Sequence, residues 1–305
     1  MELLRKSRLT CSPRHIFDLC HILPSMSVSQ QFVSALALAR EQAQASAIVS
    51  FCAQLDALLR GGVRMGQCVE LCGEPGAGCT TLALQLAIDA AIPPLFNGVG
   101  GGALIVDAEC TFAASRAAQL AAALDAHLAA LYETRFAHVH PRPPAPPTRD
   151  EILSRVHVHR PHSHVELAAL CHALPHLVRS LGVRIVVVDS VATHVRGEPL
   201  LDDRSGALRS RLLSAIAQRL CEVAHSCQVA VVVTNHLTLA PRAADAGASM
   251  RQLPALGERW RHWCDTRILL EFDGVNRTAR LLKGCAPDTV TVPFRIGDDG
   301  VRDAN

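Results

Sequence analysis

Gly73-Glu74-Pro75-Gly76-Ala77-Gly78-Cys79-Thr80, followed by Thr81, is the stretch on which the fold turns. Its three glycines let the backbone take positive φ and turn N–H groups inward. Upstream, Gln67-Cys68-Val69-Glu70-Leu71-Cys72 has the apolar, β-branched character of a short buried strand. Downstream, Leu82, Leu84, Leu86 and Ile88 run through an alanine-rich, helix-forming segment. A glycine turn from strand to helix aims backbone donors and the positive end of the helix dipole at one spot, where phosphate binds. Thr80 adds a hydroxyl for Mg²⁺. The plainer alternative is a glycine turn with no ligand.

The lysine that completes such a loop is missing, and Cys79 stands in its place. A charge-assisted hydrogen bond is worth about 1.5–3 kcal/mol, so its loss weakens phosphate binding roughly 10- to 150-fold where nothing compensates. Hydrolysis is more exposed than binding. Phosphoryl transfer depends on positioning and on cations that meet charge developing on the γ-phosphoryl oxygens. Lys6 and Lys283 are the only lysines, so a substitute within the chain is Lys283 or an arginine.

Working outward, Ala103-Leu104-Ile105-Val106-Asp107 reads as a second strand with Glu109 just beyond its end. Further strands are expected at Arg155 to Val158, Arg184 to Asp189 and Val229 to Asn235. Helical periods cover Ala113 to Leu131 and Leu208 to Ala224, and Ser163-His164-Val165-Glu166 has the form of a capping box opening another helix. Val186 to Val188 and Val231 to Val233 are apolar on both faces. Strands of that kind alternating with helices predict an α/β fold whose mostly parallel twisted sheet has helices on both faces. Ligands of such sheets lie outside the carboxyl ends of the strands, so Gly73, Glu109, Asp189 and Asn235 are expected to converge. Asp189 has the position of a carboxylate that holds Mg²⁺ through water, and Glu109 that of a base orienting the attacking water. Taken singly, each also reads as a surface carboxylate or helix cap.

At 305 residues and 49% hydrophobic composition the chain can bury a large core, and its net charge of +2 does not by itself announce a nucleic-acid binder. Its twelve cysteines lack any paired C-x-x-C spacing and read as reduced, mostly buried thiols of an intracellular protein. No apolar stretch reaches spanning length, so no membrane association is expected. Residues 1–31 read as a disordered basic tail. Glu2 and Asp18 argue against a mitochondrial presequence, and the spacing of Cys11, His15, Cys20 and His21 matches no common zinc pattern. Residues 32–60 read as a linker with an interaction helix, and 61–305 as the core, interrupted by a proline-rich insertion at 138–149. His157, His159, His162 and His164 invite a metal reading, but Arg160-Pro161 breaks the strand between the pairs.

The chain resembles the RecA/RadA-type recombinases, and within them the eukaryotic recombinase paralogues, the C subgroup in particular. The likeness runs from about Phe32 onward. It is most specific at Phe51-Cys52-Ala53-Gln54-Leu55-Asp56 with Gly61-Gly62-Val63, at Ile92-Pro93 with Phe96 and Gly98-Val99, and at Pro254-Ala255-Leu256-Gly257-Glu258-Arg259-Trp260. Asp107-Ala108-Glu109-Cys110-Thr111-Phe112 resembles the segment bearing the family's catalytic glutamate. The resemblance implies a RecA-like phosphate-loop NTPase core with an antiparallel C-terminal extension, and ATP and Mg²⁺ as cofactors. It implies that Gly73 to Thr81 cradle the nucleotide, that Thr80 and Asp189 hold Mg²⁺, and that Arg116 stacks on the adenine.

Three departures bear on activity: Cys79 for the lysine, Cys110 for the glycine after the glutamate, and His236 for the glutamine that couples γ-phosphate to DNA. Hydrolysis is therefore expected to be weak or absent, with Glu109 in a degraded site. Val195 to Gly206 and Leu237 to Leu253 correspond to the family's DNA-facing loops. Arg196, Arg204, Arg242 and Arg251 would meet phosphate there, opposed by Asp202, Asp203 and Asp245; no aromatic residue is present for base stacking. Ordinary solvated loops are the alternative. Phe32 and Ala35 match an F-x-x-A subunit-docking pattern, or else the first turn of a helix. Lys283 falls in the segment that caps an adjacent subunit's nucleotide. The family's helical N-terminal DNA-binding module is expected to be missing.

The implied function is mediation of double-strand-break repair by homologous recombination. Partners would be other recombinase paralogues, the main recombinase, and single-stranded or branched DNA. A nuclear location follows from the family role, ahead of cytoplasm or mitochondrion. The alternatives are an active DNA-dependent ATPase and a nucleotide-independent adaptor.

Overall fold

The computed structural model describes residues 34–36, 46–196, 206–241, 250–284 and 290–304. The chain divides into one unit at residues 1–45 and another at 46–305. In the first unit Ala35 and Leu36 are helical; Phe32 and the basic segment before it lie outside the described residues.

The second unit opens with β1 (Ala47–Ile48), α1 (Ala53–Leu58) and β2 (Val63–Arg64), β1 and β2 pairing antiparallel. Ile48, Cys52, Leu55 and Leu58 are buried in the main core, so residues 46–60 belong to the folded body and the linker reading ends at residue 45. Cys52 offers α1 no side-chain cap. Asp303 provides one instead, accepting from the Ala53 and Gln54 N–H groups at 2.9 and 3.0 Å.

Next come β3 (Cys68–Gly73), α2 (Cys79–Asp89), β4 (Gly102–Asp107), α3 (Ala114–Phe136), α4 (Arg149–Ser154), β5 (Val156–His159), α5 (His164–Ser180), β6 (Val183–Asp189) and α6 (Val191–Arg196). They are followed by α7 (Ala207–Cys227), β7 (Ala230–Pro241), β8 (Met250–Pro254), α8 (Gly257–Trp263), β9 (Thr266–Phe272), β10 (Arg277–Lys283), β11 (Thr291–Gly297) and β12 (Gly300–Asp303). The main sheet has the order β12-β11-β10-β9-β3-β7-β6-β4-β5. Its pairings from β9 through β3, β7, β6 and β4 to β5 are parallel, while β9 to β12 form an antiparallel extension.

Alternation along the strands explains why they look apolar on both faces. Ile185, Val187 and Val232 face α2 and α3 through Leu82, Leu86, Leu120 and Leu124. Val186, Val188, Val231 and Val233 face α5 and α7 through Leu167, Leu174, Ile216 and Leu220. The glycine turn between β3 and α2 therefore opens at the carboxyl edge of the central strands.

Two local expectations shift. Ser163 caps α5 by accepting from the Glu166 N–H, but the Glu166 carboxylate bonds the N–H of His162 at 2.8 Å and lies 3.5 Å from His159 Nε2. The full reciprocal box is at Thr148 and Glu151, where it opens α4 directly after the irregular proline run, so regular structure resumes at Arg149. Among the described residues no group of three or more His, Cys, Asp or Glu is arranged to hold a metal, and no helix is long and apolar enough to cross a membrane.

Candidate functional site

The loop takes the conformation that its glycines allow. Gly76 has φ 88° and Gly78, at the N-terminus of α2, has φ 109°; a Cβ on Gly78 would sit 2.5 Å from Ile296 Cδ1. Around the loop lies a cavity of about 410 Å³, lined by Gly73, Glu74, Pro75, Gly76, Gly78, Cys79, Thr80 and Thr81. Glu109, Asp189, Thr234, Asn235, His236, Arg277 and Ile296 complete its wall. Ala77 is buried beneath.

Cys79 contributes no charge to this space. Desolvation, reinforced by the Asp189 carboxylate, pushes its thiol up to about 12, so it is neutral at any physiological pH. Its Sγ lies over the end of β3, 2.7 Å from where a Cβ on Gly73 would be.

Asp189, at the end of β6, accepts a hydrogen bond from the Thr234 hydroxyl and a second from Thr80. Burial raises its pKa, and the Glu109 and Asp107 carboxylates add to the rise against those two hydrogen bonds. A buried carboxylate beside a threonine hydroxyl is a hard-oxygen pair suited to Mg²⁺. The Asp189–Ser190 peptide is cis.

Glu109 is heavily engaged. Its Oε1 accepts from Ser190 Oγ at 2.5 Å, from Thr193 Oγ1 at 3.0 Å and from His236 Nε2. Burial would raise its pKa, but the Ser190 and His236 hydrogen bonds, the His236 charge and the Thr193 hydroxyl outweigh it and hold the carboxyl below its ordinary value. Cys110 has φ 56°, the left-handed conformation that favours glycine. Ser190, Thr193 and Thr234 were not anticipated from the sequence. The signal available was a hydroxyl at or just past a strand end.

Asn235 lines the cavity, yet its amide donates at 2.6 Å to Glu70 Oε1, whose other oxygen takes Arg267 Nε at 2.6 Å. Its place is thus shared between the cavity wall and a buried ion pair.

Arg116 lies in an adjoining cavity of about 190 Å³ with Thr80, Thr81, Leu84 and Phe112. Its guanidinium donates to the carbonyls of Gly297 at 2.6 Å and Asp298 at 3.1 Å. Bonds made at the edge leave the flat face of the guanidinium for stacking. Lys283 makes its contacts within its own chain. Its ammonium donates to the carbonyls of Arg261, His262 and Cys264 at 2.8, 3.3 and 2.5 Å, which closes the C-terminal end of α8. An ammonium has three donors, and these three acceptors use them within the chain.

The second of the two segments expected to face DNA is partly a hairpin. β7 continues to Pro241 and pairs with β8 from Leu237↔Pro254 to Pro241↔Met250, which places Arg251 opposite Ala240. Arg196 closes α6; Arg204 and Arg242 lie outside the described residues.

The chain that builds this site has relatives among known proteins. The family model described as Rad51 matches residues 41–137 and 147–304, stepping over part of the proline run. "DNA repair protein RAD51 homolog 3" of Cricetulus griseus is 33% identical over 305 residues, all of this chain and 79% of that protein. Its Dictyostelium discoideum namesake is 31% identical over 263 residues, 84% of this chain and 65% of that one. "DNA repair protein RAD51 homolog 2" of Homo sapiens is 28% identical over 272 residues, 81% of this chain and 66% of the human protein. A phosphate loop, a strand-end acid and a sheet order of this kind, under a family match over most of the length, have one conclusion: the chain belongs to the Rad51 family.

Proposed function

We propose that this protein is a recombinase paralogue that acts as a mediator in double-strand-break repair by homologous recombination. It joins other recombinase paralogues, contacts single-stranded or branched DNA, and supports the main recombinase. The names of its relatives as DNA repair proteins favour the pathway. The observation that carries the mechanism is a complete glycine cradle and a Thr80–Asp189 pair around a thiol that bears no charge.

In this reading Gly73 to Thr81 hold the phosphates of ATP, Thr80 and Asp189 hold Mg²⁺ and Arg116 faces the adenine. Bound Mg²⁺ supplies charge that offsets the phosphates and keeps Asp189 ionised against its burial. Glu109, with three donors on one oxygen, is held away from proton abstraction, and the site binds more than it turns over. The protein acts in the nucleus, where its pathway operates. Arg196, Arg204, Arg242 and Arg251 remain its DNA-phosphate candidates, and Phe32 with Ala35 its docking pattern.

Isothermal titration with ATP–Mg²⁺, on the chain alone and with co-produced paralogues, tests this. Weak binding alone and firmer binding in the complex is the expected result. Absence of heat in both samples would leave a nucleotide-independent adaptor. ATP turnover that collapses on Glu109→Gln would instead establish a working ATPase.

A further inference from the structure

The cavity around the phosphate loop contains a basic side chain that the family pattern did not point to. Of its described lining residues, Arg277 is the only arginine or lysine, against Glu74, Glu109 and Asp189. Arg277 is the first residue of β10. Its Nε and Nη2 each lie 3.3 Å from the carbonyl oxygen of Gly76, inside the glycine loop. The guanidinium carbon sits 4.0 Å from the centre of the Phe272 ring. That stacking fixes the plane of the group without consuming a donor.

Other basic side chains among the described residues are engaged elsewhere. Arg160 Nε pairs with Asp107 at 2.9 Å, His236 is on Glu109, Arg116 is held by two carbonyls of the β11 end, and Lys283 closes α8. Arg277 has no carboxylate partner among the described residues. Five N–H donors less the two on Gly76 leave three for another acceptor.

We propose that Arg277 replaces, from within the same chain, the phosphate-binding cation that Cys79 cannot supply, with a polyphosphate nucleotide as its ligand. This rests on the nucleotide-binding reading above and names the residue that makes it work. A guanidinium suits the role because its planar fork bonds phosphate oxygens in pairs and stays charged at every relevant pH.

The test is titration of ATP–Mg²⁺ into full-length protein co-produced with its paralogues, comparing wild type, Arg277→Gln, Arg277→Lys and the double variant Cys79→Lys/Arg277→Gln. Arg277→Gln is expected to weaken ATP binding about 10- to 150-fold. Arg277→Lys should retain most of the affinity. The double variant should recover it, because a lysine at 79 restores charge without restoring the contact to Gly76. Wild-type affinity in Arg277→Gln, or no recovery in the double variant, would reduce Arg277 to a brace on the loop and overturn the proposal. Should Arg277→Gln fail to fold, judged by its melting curve, Arg277→Lys still decides the matter, because a loss of more than about 10-fold in ATP affinity in that folded, still cationic variant would overturn the proposal. A wild-type complex that binds no nucleotide sinks the function proposed above and this assignment with it, whereas binding that ignores Arg277 sinks only the latter.

Discussion

The two ends of β10 carry the two cations that the missing loop lysine brings into question, and they are used in opposite ways. At its end, Lys283 turns all three donors to the carbonyls closing α8. At its start, Arg277 keeps a partly unspent guanidinium over the phosphate loop. The lesson is that a charge is available to a ligand only if the fold leaves its donors unsatisfied. The sequence alone leaves Lys283 or an arginine open as the substitute; accounting for hydrogen bonds favours the arginine.

The largest effect that can be set against this comparison comes from Arg267, paired across the ladder with Lys283 and bonded to buried Glu70. Arg267→Met strands a carboxylate in the core and is expected to cost about 3–5 kcal/mol in urea unfolding. A cost below about 1 kcal/mol would mean that cations here are not fixed by their internal partners. Lys283→Ala should follow, losing about 1–2 kcal/mol of stability with nucleotide affinity unchanged in the same titrations. An affinity loss in Lys283→Ala would break the contrast, since it would give the ammonium a ligand role after all.

Smaller tests lie on the acidic side of the cavity. Cys110→Gly relieves a left-handed strain of about 1–2 kcal/mol but adds about 0.4–1 kcal/mol of unfolded-chain entropy, for a net gain of about 0.8 kcal/mol by thermal melting. Smallest is the pH effect of Glu109. Its folded pKa is lowered from 4.5, so its stabilisation is complete above that value and is lost as pH falls through the depressed folded value. Acid titration of stability in wild type and Glu109→Gln should therefore coincide near neutrality in slope and part only on the acid side. Parallel curves throughout would show that the Ser190, Thr193 and His236 contacts leave Glu109 unperturbed.

Much of the sheet was legible because burial on both faces forces β-branched runs such as Val186 to Val188, and because three glycines between strand and helix have few other uses. Gly73, Glu109, Asp189 and Asn235 do surround one cavity, as strand-end logic implied. What stayed hidden depends on partners distant in sequence. Ser190 meets Glu109 across 81 positions, and Thr234 meets Asp189 across 45. Arg277 meets Gly76 across 201. A local pattern carries no record of which donors such encounters consume. The loop expected at Leu237 to Leu253 was half right in the same way: antiparallel pairing satisfies the backbone at both its ends, so the hairpin continues farther than local composition shows.

Asp303 gives this architecture a practical edge. One carboxylate from the final strand stands where the chain's first core helix lacks its own terminator, so the start and the finish of the 46–305 body are buckled together. Shortening the protein from residue 303 onward would unfasten α1 and expose the Leu55 and Leu58 side chains that it presses inward, although the phosphate loop is far away in sequence. Affinity handles and engineered fusions are better joined with Asp303 left intact.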